Sequence, residues 1–298
     1  MRLPAPLLLS LGILAAPAMA SAQLVERGQA PRPEFAEDEA LQAAIDSSLR
    51  SDAHRARDAY RRPFESLTFW GLTPGITVVE IEPGSEAWWT EILAPYAART
   101  GGRYVAAWID TANPQTSQAA RDARAALEGR FAGDRAIWGE ASVVDFGPQS
   151  GVGLPDQSAD MVLVARAFHN WARAEGRTER YMAEFFRVLK PGGILAIEQH
   201  RAVEGLNVAD TAPTGYVPES YVIQAAQAAG LVLDARSELN ANAMDDRDHP
   251  FGVWTLPPIR RSSQGDRTLT EAERAHFDAI GESDRMTLRF RRPETPAQ

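Results

Sequence analysis

Apolar and polar residues follow one another along this chain in two rhythms, one with the period of strands and one with that of helices. Compact apolar runs predict seven strands, near 76–81, 103–109, 141–145, 160–165, 193–199, 231–237 and 285–291. Apolar positions at helical spacing predict helices near 87–99, 115–129, 177–189 and 218–229. Strands that alternate with helices predict a mostly parallel sheet with helices on both faces, which is a three-layer α/β sandwich.

Both ends of this regular region depart from the pattern. Residues 23–35 are polar and contain prolines, as a linker does, and helical patterning follows. We therefore divide the chain into a leader at 1–22, a linker with an N-terminal helical extension at 23–65, and an α/β domain at 66–298. Within that domain, residues 238–283 form a long insertion before the last strand. Long connections late in an α/β domain are usually either functional or mobile.

The leader reads "MRLPAPLLLSLGILAAPAMASA" and resembles a secretory signal in its order of features. A positive charge, an apolar run and small residues follow one another, which predicts a signal peptide cleaved after Ala20 or Ala22. The mature protein is then expected in the periplasm or outside the cell. A retained N-terminal anchor is the alternative, although the apolar run is short for a membrane span and is broken at Pro17. No later segment of the sequence could span a bilayer.

Charge and cysteine content exclude several classes of function. The formal net charge of the chain is −9, so it has no bulk electrostatic attraction for nucleic acid. The sequence contains no cysteine, which excludes disulfides, thiolate metal sites and a cysteine nucleophile.

Polar residues follow five of the predicted strands, at the point where each strand ends. In an open parallel sheet, ligands bind beyond these carboxyl ends, so the residues are expected to meet at one edge. In chain order they are Glu80, Glu82 and Gly84, then Asp110, then Asp145 and Phe146, then Arg166 and His169, and finally His200.

The stretch "FFRVLKPGGILAIEQHR" at 185–201, a helix that ends in a Pro-Gly-Gly turn before an apolar strand, carries a family resemblance. It resembles the class I S-adenosylmethionine-dependent methyltransferases. "LTPGITVVEIEPGSEAWWTEILAPY", "SADMVLVARAFHNW" and "ESDRMTLRFRRP" look most like a group of exported predicted bacterial methyltransferases. The resemblance implies an antiparallel last strand, S-adenosylmethionine as cofactor, and methyl transfer to a small molecule or an envelope component.

The resemblance also implies roles for the residues at the sheet edge. Residues 78–86, which include Glu82, match the cofactor loop, with Glu80 near the methionine end and Gly84 allowing close approach of the backbone. Asp110 matches the acid that binds the ribose hydroxyls, with Trp108 as the neighbouring alternative. Asp145 matches the residue that meets the adenine amino group, and Phe146 would lie beside the ring. The segment 165–171, which includes Arg166, matches the region behind the methyl group.

Glu82 and Glu86 stand where the usual cofactor loop has glycines. Nearby carboxylates could favour a sulfonium and an ammonium, so the loop is compatible with cofactor binding. The alternative is a non-catalytic exported scaffold or binding protein that keeps the fold with a degenerate loop.

Three further points concern histidines and metals. If the acceptor must lose a proton, His169 or His200 could serve as the base. Either could equally be a buried structural histidine. Asp245, Asp246, Asp248 and His249 are spaced like metal ligands, but closely spaced acids are more typical of a solvated turn, and we predict no metal site.

Overall fold

The computed structural model describes residues 38–294. The predicted signal peptide and the linker, at 1–22 and 23–35, lie outside the described residues. In the described part the strands are β1 Thr77–Ile81, β2 Arg103–Ala107, β3 Ser142–Val144, β4 Phe146–Gly147, β5 Gly151–Val152, β6 Ala159–Ala165, β7 Leu189–His200, β8 Val232–Ser237, β9 Pro250–Val253, β10 Ser263–Gln264, β11 Arg267–Thr268 and β12 Arg285–Arg291.

The main sheet has seven strands in the order β3-β2-β1-β6-β7-β12-β8. The first five strands in this order are parallel neighbours. β12 runs antiparallel to β7 on one side and to β8 on the other. All seven predicted strands, and the antiparallel direction of the last strand, are therefore confirmed.

Helices cover both faces of this sheet. They are α1 Glu39–Ile45, α2 Asp52–Arg55, α3 Asp58–Arg61, α4 Pro63–Trp70, α5 Thr90–Thr100, α6 Gln118–Gly133, α7 Arg135–Trp138, α8 Phe168–Ala172, α9 Arg177–Val188, α10 Val208–Thr211, α11 Glu219–Ala228 and α12 Glu271–Ile280. Successive residues of a strand point to opposite faces, so Val78 packs with α1 and α4 to α7, and Val79 packs with α8, α9 and α11. The predicted three-layer α/β sandwich is confirmed.

The strand directions bring several chain segments to one edge of the sheet. β1, β6 and β7 are adjacent and parallel, so their carboxyl ends lie side by side. β12 is antiparallel to β7 and pairs Arg285 with His200, so it begins where β7 ends. This edge therefore receives the loop after β1, the turn after β6, the end of β7 and the start of β12.

The N-terminal helices pack closely on the α/β domain. Trp70 of α4 is buried, and its indole Nε1 donates to the backbone oxygen of Leu288 in β12 at 3.1 Å. Arg57, which precedes α3, donates through Nε to Glu282 at 2.6 Å, just before β12 begins. The helical extension is thus bonded to the last strand of the sheet, far away along the chain.

The long insertion at 238–283 is folded. It contains β9, the β10–β11 hairpin and α12, which begins with a capping box between Thr270 and Glu273. Phe251, Leu256 and Phe277 contribute to an apolar cluster of its own. Across residues 38–294, none of the helices has the length and apolar character needed to cross a membrane.

Candidate functional site

A cavity of about 190 Å³ lies at the carboxyl edge of the sheet. Its wall is built from the loop after β1, the turn after β6, the junction of β7 with β12, and the segment after β9. Of the residues predicted from the sequence, it brings together Glu82, Gly84, Arg166, His169 and His200. The convergence expected from parallel strands is therefore present for the central strands of the sheet.

Two of these residues carry strained backbone. Glu82 has φ of 51° and Arg166 has φ of 60°, in the left-handed region that residues with a Cβ rarely adopt. Each such conformation costs on the order of 1–3 kcal/mol, and such strain concentrates at binding and catalytic sites. Gly84, with φ of 74°, also lines the cavity, and a Cβ there would meet nothing within 4 Å. The backbone at Gly84 is therefore open to close approach by a ligand.

The two glutamates of this loop differ in their surroundings. Glu80 is buried and accepts hydrogen bonds from the hydroxyls of Thr90 at 2.9 Å and Tyr104 at 2.6 Å. Glu82 lines the cavity and accepts from the indole Nε1 of Trp171 at 3.2 Å. Burial raises the pKa of each glutamate to about 7, because a carboxylate loses hydration there. Both groups therefore change charge near neutral pH, but only Glu82 faces the cavity.

The two predicted base candidates are buried histidines. The Nδ1 of His169 lies 3.4 Å from the side-chain nitrogen of Gln199, and the Nδ1 of His200 lies 2.5 Å from the hydroxyl of Ser283. Burial, with Arg173 next, lowers the pKa of His169 to about 4. Burial, with Arg285 next, holds the pKa of His200 well below its ordinary value. Both rings are neutral at pH 7, and both hold a proton too weakly to be strong bases there.

Arg166 projects a cation into the cavity wall. Its backbone amide donates to the carbonyl of Glu198 at 2.7 Å, which joins the turn after β6 to β7. Its Nε is buried and has no hydrogen-bond partner among residues 38–294. Burial, and then the charge of Arg285, lowers the pKa of Arg166, although the guanidinium remains protonated at neutral pH.

A buried ion network lies beside Arg166. Arg285 donates to Glu198 at 2.7 Å and also contacts Glu282, which pairs in turn with Arg57 and Arg61. Sequence reasoning missed this network, because nothing in the pattern marked these charges as buried. One signal was available: arginines spaced by four residues in the N-terminal helices, and acids that directly precede the last strand.

The residues predicted for the ribose and the adenine lie outside this cavity. The carboxylate of Asp110 accepts from the amides of Ala112 and Asn113 at 3.1 and 3.2 Å, and from the hydroxyl and amide of Ser150 at 2.7 and 3.1 Å. These bonds fix the loop after β2 to the β4–β5 turn. The oxygens of Asp110 are therefore already used within the protein.

Asp145 and Phe146 are also engaged internally. Asp145 accepts from the amide and hydroxyl of Thr111 at 3.0 and 2.8 Å and from Arg124. Although burial alone would raise it, these bonds hold the pKa of Asp145 below its ordinary value. Phe146 is buried in the core, with its ring centroid 4.5 Å from that of Tyr181.

A second cavity, of about 180 Å³, shares Gly84 with the first. It is lined by Ser85, by Trp108 and by residues of α6, among them Leu127 and Arg130. Trp108, the alternative considered for the ribose side, therefore faces a cavity that Asp110 does not line. Each cavity is below the roughly 300–1,000 Å³ typical of ligand pockets, and only the two together exceed the lower bound.

The acidic cluster of the insertion differs from the solvated turn expected from the sequence. Asp245 is fully buried and accepts from the hydroxyl of Tyr216 at 3.0 Å and from the amide of Asp284 at 2.8 Å. His249 is also buried, with Nε2 2.8 Å from Asp245. The interpretation as a solvated turn was therefore wrong for these two residues, because the insertion folds back over them.

Comparison with known proteins gives three findings. Residues 90–197 match a protein family described as a methyltransferase domain. No curated protein sequence matches the chain. Several solved structures share the fold, among them the cyclase SpnF, with a TM-score of 0.54, 16% identity, and coverage of 84% of this chain and 85% of its own.

Two other structures are similar at lower scores. A methyltransferase from Aquifex aeolicus has a TM-score of 0.44 and 20% identity, with coverage of 61% of this chain and 86% of its own. The arsenic(III) methyltransferase CrArsM from Chlamydomonas reinhardtii has a TM-score of 0.49 and 15% identity, with coverage of 88% and 76%. Residues 90–197 therefore match a methyltransferase domain, and the described part of the chain has the seven-stranded, Rossmann-like fold of methyltransferases.

Proposed function

We propose that this protein transfers a methyl group from S-adenosylmethionine to a small molecule or an envelope component. The observation that carries the proposal is the cavity at the ends of β1 and β6, where Glu82, Gly84 and Arg166 meet. This is the edge at which a parallel α/β sheet binds ligands. The bound cofactor would supply a methyl group on a positively charged sulfur, so the protein's main task is to position the acceptor against it.

The residues of the loop after β1 fit the methionine end of the cofactor. Gly84 offers open backbone, and Glu82 offers a carboxylate whose negative charge favours an ammonium and a sulfonium. We assign the adenosine end to the second cavity beside Trp108 and Ser85, because it shares Gly84 with the first. This replaces the sequence-based roles of Asp110 and Asp145, whose oxygens are bonded within the protein.

The alternative is a non-catalytic binding protein or scaffold with the same fold. The observation that favours it is the internal bonding of Asp110 and Asp145, the acids that the resemblance assigns to the cofactor. The small volume of each cavity also favours the non-catalytic alternative, because neither cavity alone reaches the usual size of a ligand pocket. Cofactor binding separates the two hypotheses directly.

The test is calorimetric titration of the mature protein with S-adenosylmethionine and S-adenosylhomocysteine, for the wild type and two matched variants. Gly84→Asn adds a side chain in the cavity wall. Gly101→Asn adds the same side chain at φ of 73°, also in open space, at the end of α5. Asparagine tolerates left-handed backbone better than most residues, so both variants should fold.

We expect the wild type and Gly101→Asn to bind both ligands, and Gly84→Asn to lose at least tenfold in affinity. A folded wild type that binds neither ligand would favour the scaffold. Equal affinities for the two variants would remove Gly84 from the site.

We also propose that the protein acts outside the cytoplasm, on the basis of residues 1–22. Fusion of these residues to a reporter that works only outside the cytoplasm should give a signal. Activity confined to a cytoplasmic reporter would contradict export, and with it the envelope component as acceptor.

A further inference from the structure

Positive charge exceeds negative charge in the buried region beside the cavity. Of four guanidiniums here, those of Arg57, Arg61 and Arg285 form ion pairs with the buried Glu198 and Glu282, and Arg57 also pairs with the exposed Glu86 at 3.3 Å. The fourth, that of Arg166, forms no ion pair within residues 38–294, so four buried cations face only two buried carboxylates in direct ion pairs. Glu80 and Glu82 offset this only in part, because burial raises the pKa of each to about 7. An uncompensated buried charge is costly, so the region favours a further anion.

Unused hydrogen-bond donors accompany this excess charge. Among residues 38–294, no partner accepts from Nη1 and Nη2 of Arg61, Nη2 of Arg57, or Nε of Arg166 and Arg285. Buried donors are normally satisfied, so such a concentration in one place indicates a missing acceptor. Arg61 is partly compensated, since its guanidinium lies 4.5 Å from the ring centroid of Trp88. Arg166 and Arg285 differ from the other two because they also line the cavity.

Arg166 is the cation best placed to meet a ligand. Glu198 and Glu282 pair with other arginines, and neither pairs with Arg166 within the described part of the chain. The backbone of Arg166 is also strained, with φ of 60°, which costs free energy. Within residues 38–294 the side chain forms no ion pair that could offset this cost. A guanidinium presents planar paired donors that match a carboxylate, so a ligand carboxylate would satisfy it.

The insertion supplies an apolar part of the same cavity wall. Val253, Trp254 and Ile259, together with two prolines, line it. Ile259 is 56% exposed, so it lies at the rim of the cavity. The cavity therefore combines cations from the turn after β6 and the start of β12 with an apolar surface from the insertion. A ligand that fits both has a charged end and an apolar body.

We infer that the methyl acceptor is a small carboxylate with an apolar body, held by Arg166 through its carboxylate and by Trp254 and Ile259 through its body. This inference rests on the proposed function and names its substrate class. The positive charge of Arg285 and of the network behind it stabilises the bound anion. Because the methionine end of the cofactor would share this cavity of about 190 Å³, the acceptor is restricted to a small molecule, or to the carboxylate end of a larger one.

The test compares benzoate with benzamide, which have nearly the same size and shape but differ in charge. Binding to the full mature chain is measured by ligand-observed NMR, with and without saturating S-adenosylhomocysteine. The variants are Arg166→Gln, the charge-preserving Arg166→Lys, and Arg135→Gln as control. Arg135 is an exposed arginine at the start of α7 that pairs with the exposed Glu140 and does not line the cavity.

We expect benzoate to bind the wild type at least tenfold more tightly than benzamide, as loss of a hydrogen bond to a charged group implies. Arg166→Gln should abolish this preference, Arg166→Lys should keep part of it, and Arg135→Gln should change it less than twofold. Benzoate should also bind alongside S-adenosylhomocysteine.

Equal binding of benzoate and benzamide to the wild type would overturn the inference, and this comparison does not depend on any variant folding. A preference that survives in Arg166→Gln would overturn the role of Arg166. Displacement of benzoate by S-adenosylhomocysteine would assign the subsite to the carboxylate of the cofactor, which also overturns the inference. If S-adenosylhomocysteine does not bind at all, the proposed function fails, and the benzoate comparison still decides whether a carboxylate subsite exists.

Discussion

Replacement of Glu282 by glutamine tests how the N-terminal helices are held to the last strand. Glu282 is buried, and its carboxylate bonds Arg57 at 2.6 Å and Arg61 at 3.3 Å and also contacts Arg285. Glu282→Gln keeps the shape but leaves three buried guanidiniums facing a neutral amide. Removal of one partner from a buried ion pair costs roughly 3–5 kcal/mol, so we expect a loss of that size in the free energy of unfolding at pH 7.

The pH dependence of this loss gives an independent check. Burial alone would raise the pKa of Glu282, but Arg285, Arg61 and Arg57 hold it far below the ordinary value of 4.5. An acid with a lowered pKa stabilises the fold above its unfolded pKa, and this stabilisation is lost as the pH falls. The difference in free energy of unfolding between wild type and Glu282→Gln should therefore decrease by about 1.4 kcal/mol for each pH unit below 4.5.

The assay is urea unfolding at pH 7 and at pH 3.5, followed by tryptophan fluorescence, with Glu128→Gln as control. Glu128 makes a single surface ion pair with Arg124 at 2.8 Å, and its side chain is 48% exposed, so its loss should cost at most about 1 kcal/mol. The reasoning is refuted if Glu282→Gln costs no more than Glu128→Gln at pH 7. It is also refuted if the difference in free energy of unfolding between wild type and Glu282→Gln is as large at pH 3.5 as at pH 7.

Three other predictions concern the acids of the sheet edge. The stability that neutral Glu80 provides is present below its unfolded pKa of 4.5 and is lost as the pH rises through its folded pKa of about 7. Relative to wild type, the free energy of unfolding of Glu80→Gln, measured in urea, should therefore increase by about 2–3 kcal/mol between pH 5 and 8. Asp110→Asn should lower the free energy of unfolding by about 1–3 kcal/mol, because it breaks the bonds to Ser150. Its affinity for S-adenosylhomocysteine should stay within twofold, and an affinity loss without a stability loss would return the ribose role to Asp110. Because the pKa of Glu82 is about 7, its carboxyl ionises between pH 6 and 8, and the affinity for S-adenosylmethionine measured by calorimetry should rise about fivefold over that range. Glu82→Gln should remove this pH dependence.

The strands of the sheet could be predicted from the sequence because each strand is marked by an apolar run within its own residues. The runs "TVVEI" and "ADMVLVA" are apolar enough to be buried on both faces, and each became a central parallel strand. The turn predicted at Pro191 and Gly192 was wrong in its place, because α9 ends at Val188 and β7 begins at Leu189, so both residues lie within β7, where its pairing with β6 is irregular. The same rule, that parallel strands end at one edge, correctly brought Glu82, Gly84, Arg166 and His200 to one cavity.

The chemistry of individual side chains was harder to predict because it depends on distant partners. Asp110 was expected to be free for a ligand, but Ser150, 40 residues away, binds its carboxylate. Either histidine was considered as a base, but burial, and then nearby arginines, lowers the pKa of both. The buried pairing of Arg57 with Glu282 joins residues 225 positions apart, which no local pattern indicates.

Backbone strain and unpaired buried charge both occur in the wall of this cavity, which favours a site that binds a ligand over a decayed site. A pure scaffold gains no stability from left-handed backbone at Glu82 and Arg166, or from a buried guanidinium whose Nε has no hydrogen-bond partner among residues 38–294. A neutral side chain in place of Arg166 would relieve the charge cost, and glycine at both positions would relieve the strain. These costs coincide in one cavity, in the turns that follow the adjacent strands β1 and β6. A bound cation near Glu82 together with an anion at Arg166 would offset the cost of the charges. Glu86 does not line this cavity and pairs with Arg57 at 3.3 Å. Glu82, which stands where the usual loop has a glycine, is thus better explained as the anionic side of a ligand cavity than as the remains of a binding site.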